Sequence, residues 1–155
     1  MRTVYLETTI VSYYVARPSR DVVTLARQEV TRQWWDKRRS AYRNLISPAV
    51  LEEAKAGDQE AARRRLNALA GIELLEYEPA IDPLAERLRR ALRIPRRKGA
   101  DALHLAYVVH YEIEILLTWN CEHLADAETQ RRMADFVQHE WLWMPVVCTP
   151  EQMGA

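Results

Sequence analysis

The feature that most constrains this chain is the alternation of short apolar runs with longer segments of helical periodicity. In the longest such segment, residues 21–39, apolar side chains recur three and four positions apart, which predicts a helix. The apolar runs are rich in β-branched and aromatic residues, as strands are. The predicted strands are residues 3–7, 44–46, 72–77, 113–118 and 145–149. Strands separated by helices predict an α/β fold, a three-layer α/β/α sandwich with a mainly parallel central sheet.

The other predicted helices begin at recognisable start signals. Thr8 and Thr9 are expected to cap a helix that ends before Pro18, and Ser47 followed by Pro48 predicts the start of another. The remaining predicted helices span residues 58–71, 80–94, 101–112 and 128–140. A chain of 155 residues with 48% apolar content is expected to form one domain, 1–155.

The charge balance and the N-terminal sequence bear on the partners and the cellular location of the protein. Basic and acidic residues number 22 each, so the net charge of zero provides no overall attraction to nucleic acid or membranes. No apolar run approaches the roughly 20 residues needed to cross a bilayer. The beginning, MRTVYLETTI, lacks the apolar core of a signal peptide. We therefore expect a soluble, cytoplasmic protein whose two cysteines, Cys121 and Cys148, are free and reduced.

Polar side chains occur where an α/β sheet forms its sites, just beyond the carboxyl ends of the strands. Glu7 ends the first predicted strand, Glu53 lies in the helix after the second, and Asn120 follows the fourth. A lone buried carboxylate is costly, so Glu7 is expected either at an open strand end or in a site. Asp101 opens the apolar helix that begins DALH.

An acidic cluster of this kind is typical of a metal site. Mg²⁺ is usually held by one or two carboxylates with water and substrate phosphate, and a divalent ion favours the ionised form of crowded acids. The natural reaction of such a site is phosphodiester hydrolysis. The residues alone leave other roles open: Asp101 as a helix cap, Asn120 as a turn residue, and His104 as a hydrogen-bonded core histidine.

Four segments, taken in order, resemble the PIN-domain family. They are VYLETTIVSYY, ISPAVLEEAKAGD, ADALHLAYVVH and LLTWNCEHLADAE, followed by VVCTPEQM at the end. More closely, they resemble VapC-like toxins of type II toxin–antitoxin systems, in the branch whose first motif is ETT. The resemblance covers essentially the whole chain. It implies a PIN-like sandwich that uses Mg²⁺ or Mn²⁺ to cleave RNA as a metal-dependent endoribonuclease.

The same resemblance implies roles for individual residues. Glu7, Glu53 and Asp101 would hold the metal, and Asn120 would join them in catalysis. Glu7 and Asn120 both stand where aspartate is usual or frequent in the family, so both are departures from its pattern. The supporting residues would be Thr9, His104 and His123.

A run of basic residues precedes Asp101 directly. Residues 87–98 contain seven arginines and lysines and no acid. A solvated helix face is one interpretation and an RNA-binding patch the other. The candidates for contact with RNA phosphates are Arg93, Arg96, Arg97 and Lys98.

The resemblance also implies partners, namely a second copy in a homodimer and a cognate antitoxin whose peptide occupies the acidic groove. Trp141, Trp143, Tyr13 and Tyr14 are candidates for antitoxin contacts, with core packing as the alternative for most of them.

Three other functions compete with the nuclease. A catalytically weakened PIN-fold module that binds RNA or protein is the main alternative. A zinc hydrolase would use Cys121, His123 and His104, but this spacing offers only one close pair of ligands. A phospho-acceptor signalling domain needs a lysine near its aspartate, and the chain's few lysines are poorly placed for it.

Overall fold

The sheet at the centre of the protein has five strands in the order β3-β2-β1-β4-β5. The computed structural model describes residues 1–154, so Ala155, the last residue of the predicted domain, lies outside them. The strands are β1 (Thr3–Leu6), β2 (Arg43–Ile46), β3 (Glu73–Leu74), β4 (Ile115–Leu117) and β5 (Val146–Cys148). Every pairing is parallel, which confirms the predicted α/β class and makes the sheet wholly rather than mainly parallel.

Helices cover both faces of this sheet. They are α1 (Thr8–Val15), α2 (Val22–Lys37), α3 (Pro48–Ala54), α4 (Gln59–Leu69), α5 (Ile81–Ala91), α6 (Gly99–His110) and α7 (Ala127–Glu140). Because parallel crossovers are right-handed, the strand order places α1 to α4 on one face and α5 to α7 on the other. Contacts of α1 with α2, α3 and α4, and of α5 with α6 and α7, agree with this arrangement. Within residues 1–154, no helix combines the length and the apolar character needed to span a membrane.

The strand order reverses between β1 and β4, which lie side by side at the centre of the sheet. Tyr5 is opposite Leu116 in this pairing. The backbone N–H of Glu7 donates to the carbonyl of Leu117 at 3.1 Å, so the residue after β1 is fixed against the end of β4. Ligands of open α/β sheets bind in the crevice at such a reversal point. The fold therefore puts Glu7 where a site is expected.

Two sequence predictions were wrong in detail. The predicted strand at residues 72–77 is reduced to the two residues of β3, because this edge strand has a hydrogen-bonding partner on one side only. Thr8 and Thr9 do not cap α1 but lie inside it. The cap is Glu7, whose carboxylate accepts a hydrogen bond from the backbone N–H of Thr9 at 3.0 Å. A negative charge is favourable at a helix N-terminus.

The aromatic residues considered for partner contacts have different environments. Tyr13 and Tyr14 are partly buried against the core, and the Tyr14 ring stacks on Trp35 with centroids 4.5 Å apart. The indole N–H of Trp143 donates to a backbone carbonyl at 2.8 Å. Trp141 is 94% exposed, and it follows α7 with a left-handed backbone. Trp141 is thus the one candidate of these four that presents its whole side chain to solvent.

Candidate metal centre

Glu7 is buried, with 5% of its surface exposed, and three donors fix its carboxylate. Its Oε1 accepts hydrogen bonds from the hydroxyls of Thr9 at 2.6 Å and Thr118 at 2.5 Å, and its Oε2 accepts from the Thr9 backbone. Each hydroxyl also accepts a backbone N–H at 2.9 Å, from Trp119 for Thr9 and from Asn120 for Thr118. Since those N–H groups can only donate, each hydroxyl proton is directed to Glu7.

Thr118 was not among the residues selected from the sequence. It follows β4 directly and is fully buried. A polar residue immediately after an apolar strand is the signal that drew attention to Glu7. The same signal in LLTWN would have identified Thr118.

Glu53 reaches the same region from α3. Its Oε1 accepts from the hydroxyl of Thr8 at 2.6 Å and bonds to Nε2 of His104 at 2.5 Å. Partial burial raises the pKa of Glu53, but the hydrogen bond and charge of His104, with the Thr8 hydroxyl, outweigh it and lower that pKa below its ordinary value. Glu52 instead lies on the surface, where its side chain is 77% exposed and pairs with Lys55.

A buried hydrogen-bond chain orients His104. Its Nδ1 is 2.7 Å from the hydroxyl of Tyr5, which is 2.7 Å from the hydroxyl of Ser47. The backbone N–H of Ala49 donates to Ser47 at 3.2 Å. When the imidazole is neutral, the Ser47 hydroxyl accepts from Ala49 and donates to the Tyr5 hydroxyl, which in turn donates to Nδ1. The proton of the imidazole is then on Nε2, which donates to Glu53. Neither Tyr5 nor Ser47 was predicted to belong to the site.

His104 is fully buried, next to Glu7 and Glu53. Burial lowers its pKa, but the hydrogen bond to Glu53 and the negative charges of Glu7, Glu53 and Asp101 raise it above the ordinary value. A ring nitrogen of His104 and carboxylate oxygens of Glu7 and Glu53 lie within 4.8 Å of one another. Because both ring nitrogens already have partners, we interpret His104 as the residue that positions Glu53 and not as a metal ligand.

Asp101 neither opens nor caps α6, as the sequence had suggested, because the helix begins two residues earlier at Gly99 and Lys98 occupies the cap position. The Oδ2 atom of Asp101 is buried and accepts no hydrogen bond within the described chain. Nδ1 of His123 lies 3.2 Å away but is not aligned for a hydrogen bond. A buried carboxylate oxygen without a hydrogen bond is destabilising, and a cation would compensate it. Carboxylate oxygens are also the ligands that Mg²⁺ and Mn²⁺ favour, so these side chains fit such an ion.

The carbonyl oxygen of the Asn120 side chain caps a turn. It accepts the backbone N–H groups of Glu122 at 3.2 Å and His123 at 2.9 Å. This turn holds the His123 ring beside Asp101. The geometry thus gives Asn120 the turn role left open by the sequence and places the His123 ring next to the Asp101 carboxylate.

The basic run divides into two parts. Arg89 and Arg90 pair with Glu86 at 2.8 and 3.0 Å, so that half is a salt-bridged helix face. The other half consists of exposed residues that form no ion pair with the rest of the described chain: Arg93, Arg96, Arg97 and Lys98. Arg96–Lys98 form a 3-10 turn directly before α6. Free cations therefore flank the helix that carries Asp101.

The alternative zinc site does not assemble in residues 1–154. Cys121 is exposed, and both nitrogens of His104 are engaged by Glu53 and Tyr5. The group Glu7, Glu53 and His104 is the one set of three potential metal-binding side chains within 4.8 Å of one another in this range, and the predicted ligand Asp101 is not part of that set.

Comparisons with known proteins support the fold. No protein-family model matches the chain, and no curated protein matches it. A solved structure that resembles it is a chain in the crystal structure of VapBC2 from Rickettsia felis bound to a DNA fragment from their promoter. The TM-score is 0.52 with 16% sequence identity, over 95% of this chain and 98% of that chain. A likeness at this identity shows the fold alone, a PIN-like three-layer sandwich.

Proposed function

We propose that this protein is a ribonuclease that uses Mg²⁺ or Mn²⁺ to hydrolyse RNA phosphodiester bonds. The observation that carries the proposal is the close approach of Glu7 and Glu53 beside His104, with Asp101 three residues before His104 on α6 and one of its carboxylate oxygens buried without a donor. Acids held this close together are difficult to explain by stability, because their charges repel one another. A bound cation would make the arrangement favourable.

In this proposal Glu7, Glu53 and Asp101 hold the ion. When bound, the ion would polarise the phosphoryl oxygens and lower the pKa of the attacking water. The chain's own polar groups keep the ligands in place: Thr9 and Thr118 orient Glu7, and His104 orients Glu53. The expected products carry a 5′-phosphate and a 3′-hydroxyl.

Other residues of the proposal act on the substrate or on the ligands. Arg93, Arg96, Arg97 and Lys98 are free to contact RNA phosphates beside the site. Asn120 supports the centre by donating its backbone N–H to Thr118 and by holding His123 beside Asp101.

We further propose that the nuclease is the toxin of a toxin–antitoxin pair. This extension is supported by the likeness to a chain of VapBC2, a toxin–antitoxin complex. A cognate antitoxin and a second copy of the chain are the proposed partners, and the exposed Trp141 is a candidate contact. Expression of the protein should arrest growth, and the Asp101→Asn variant should not.

The direct test of the reaction is incubation of purified protein with a mixed RNA pool in Mg²⁺, in Mn²⁺ and in chelator. Cleavage that requires the ion and disappears in Asp101→Asn would support the proposal. Glu140→Gln is a matched control, because Glu140 is an exposed acid at the end of α7 that forms no ion pair with the described residues. A folded wild-type protein that is as inactive as Asp101→Asn would contradict it.

A module that binds RNA or protein without cleaving it is the second candidate. The observation that favours it is the Asn120 side chain, whose oxygen is occupied by two backbone donors. The weakened module would bind RNA and leave it intact in every metal condition.

A further inference from the structure

The hydrogen-bond donors around Glu7 and Glu53 restrict which oxygens of these carboxylates can bind an ion. Each oxygen of a carboxylate has two lone pairs, so an oxygen that accepts two hydrogen bonds has none left for a metal. Asp101 is not restricted in this way, because its Oδ2 accepts no hydrogen bond from residues 1–154. The pattern of donors therefore decides how each acid can coordinate a cation.

Glu53 has one saturated oxygen. Its Oε1 accepts from the Thr8 hydroxyl at 2.6 Å and bonds to Nε2 of His104 at 2.5 Å, which uses both lone pairs. His104 is held in place, because it is fully buried and the Tyr5 hydroxyl lies 2.7 Å from its Nδ1. Oε2 of Glu53 accepts no hydrogen bond from the described residues. Glu53 can thus offer Oε2 alone to an ion.

Glu7 is restricted in the same way. Its Oε1 accepts from the hydroxyls of Thr9 at 2.6 Å and Thr118 at 2.5 Å, which again uses both lone pairs. Its Oε2 accepts one backbone N–H, from Thr9 at 3.0 Å, and keeps one lone pair. Backbone N–H groups of Trp119 and Asn120 fix the two hydroxyls in turn. Glu7 therefore also has a single oxygen available to a cation.

We propose that the hydroxyls of Thr8, Thr9 and Thr118 set the ion selectivity of the metal centre, by allowing each glutamate to bind through one oxygen only. The inference deepens the proposed nuclease and rests on it for the presence of an ion. The selected ions are Mg²⁺ and Mn²⁺, and the ion that is discriminated against is Ca²⁺.

The selectivity follows from the number of oxygens that each ion collects. Ca²⁺ takes roughly six to eight oxygen ligands in a flexible geometry and commonly binds both oxygens of a carboxylate. Mg²⁺ requires an octahedral arrangement and is usually held by one or two carboxylates, with waters completing the shell. Single-oxygen contacts from Glu7 and Glu53 suit the second arrangement and deprive Ca²⁺ of two ligands.

A role of the hydroxyls in positioning alone predicts a different result. If they only held the carboxylates in place, the removal of one hydroxyl would loosen an acid and weaken the binding of every divalent ion alike. If they block an oxygen, its removal frees a lone pair for a second contact, from which Ca²⁺ gains more than Mg²⁺. The ratio of the two affinities therefore separates selectivity from positioning.

Displacement of Mn²⁺ measures this ratio without RNA. Mn²⁺ is first bound to the full chain, and its free EPR signal is followed while Mg²⁺ or Ca²⁺ is added. From the wild type, Ca²⁺ should displace Mn²⁺ no better than Mg²⁺ does. In Thr8→Val, which removes the hydroxyl and keeps the side-chain shape, Ca²⁺ should gain about tenfold over Mg²⁺, or about 1.4 kcal/mol. Thr118→Val should shift the ratio in the same direction.

Thr24→Val is the matched control. The Thr24 hydroxyl also donates to a carboxylate, that of Asp21 at 2.8 Å, but this pair lies at the exposed start of α2 and outside the centre. The control should keep the wild-type ratio, and so should Thr8→Ser, which retains the hydroxyl. An unchanged ratio in both Thr8→Val and Thr118→Val would overturn the proposal.

The wild-type measurement also separates this proposal from the proposed function, and it needs no variant to fold. A wild type that binds Mn²⁺ but prefers Ca²⁺ to Mg²⁺ would refute the selectivity and leave the metal centre intact. A wild type that binds no Mn²⁺ would refute both. Selectivity that is lost in the valine variants of a protein that cleaves no RNA would support this proposal and refute the nuclease.

Discussion

Replacing Thr118 by valine is expected to destabilise the protein through the anchoring of Glu7. The hydroxyl of Thr118 donates to the Glu7 carboxylate at 2.5 Å and accepts the backbone N–H of Asn120 at 2.9 Å, and the residue is fully buried. A hydrogen bond to a charged group contributes about 1.5 to 3 kcal/mol, and an orphaned buried donor costs about 1 to 3 kcal/mol. Valine has nearly the same shape, so little cavity is created. We expect the free energy of unfolding to fall by about 3 kcal/mol.

Equilibrium unfolding in urea, followed by tryptophan fluorescence in the presence of chelator, measures this change. Thr118→Ser keeps the hydroxyl and loses one methyl group, so its free energy of unfolding should fall by only about 1 kcal/mol. If the hydroxyl acts through Glu7, a double-mutant cycle with Glu7→Gln should give a coupling energy of at least about 1 kcal/mol. Equal stability of the valine and serine variants, or a coupling energy near zero, would refute this reasoning.

Three other predictions follow from single interactions. Tyr5→Phe removes the hydroxyl that links Ser47 to His104, and it should lower the free energy of unfolding by about 2 kcal/mol in the same urea assay. The double variant Arg96→Ala/Arg97→Ala should weaken the salt dependence of RNA binding, measured on the Asp101→Asn background. The slope of the logarithm of the binding constant against the logarithm of the salt concentration should become less steep by about 0.7 for each RNA phosphate that is no longer neutralised, whereas Arg63→Ala should leave the slope unchanged. Cys121 is exposed, while Cys148 is buried with its pKa raised to about 11 by that burial, so a thiol reagent at about pH 8 should modify one cysteine in the native protein and two after unfolding.

The central strands and the position of Glu7 at the end of β1 were accessible from the sequence because each leaves a local signal. β1 and β4 are apolar runs buried on both faces, as strands in the middle of a parallel sheet are. Glu7 follows such a run directly. The length of β3 was overestimated, because an edge strand ends where its one neighbouring strand no longer pairs with it. The sequence of residues 72–77 does not indicate where that pairing stops.

The pairings within the supporting polar network were not predictable, because its hydrogen bonds join distant parts of the chain. Thr118 and Glu7 are separated by 111 residues, and Tyr5 and His104 by 99. Within its strand, Tyr5 reads as an ordinary apolar residue. Only the register of β1 and the position of α6 show that its hydroxyl meets the imidazole.

The measurement that tests the central claim most directly is the binding of Mn²⁺, followed by the loss of its free EPR signal on titration into protein. The wild type should bind the ion at Glu7, Glu53 and Asp101, and the control variant Glu140→Gln should bind it equally well. Asp101→Asn should lose that binding while remaining folded. If the wild type binds no Mn²⁺, or if Asp101→Asn binds it as tightly as the wild type, the three acids do not form a metal centre.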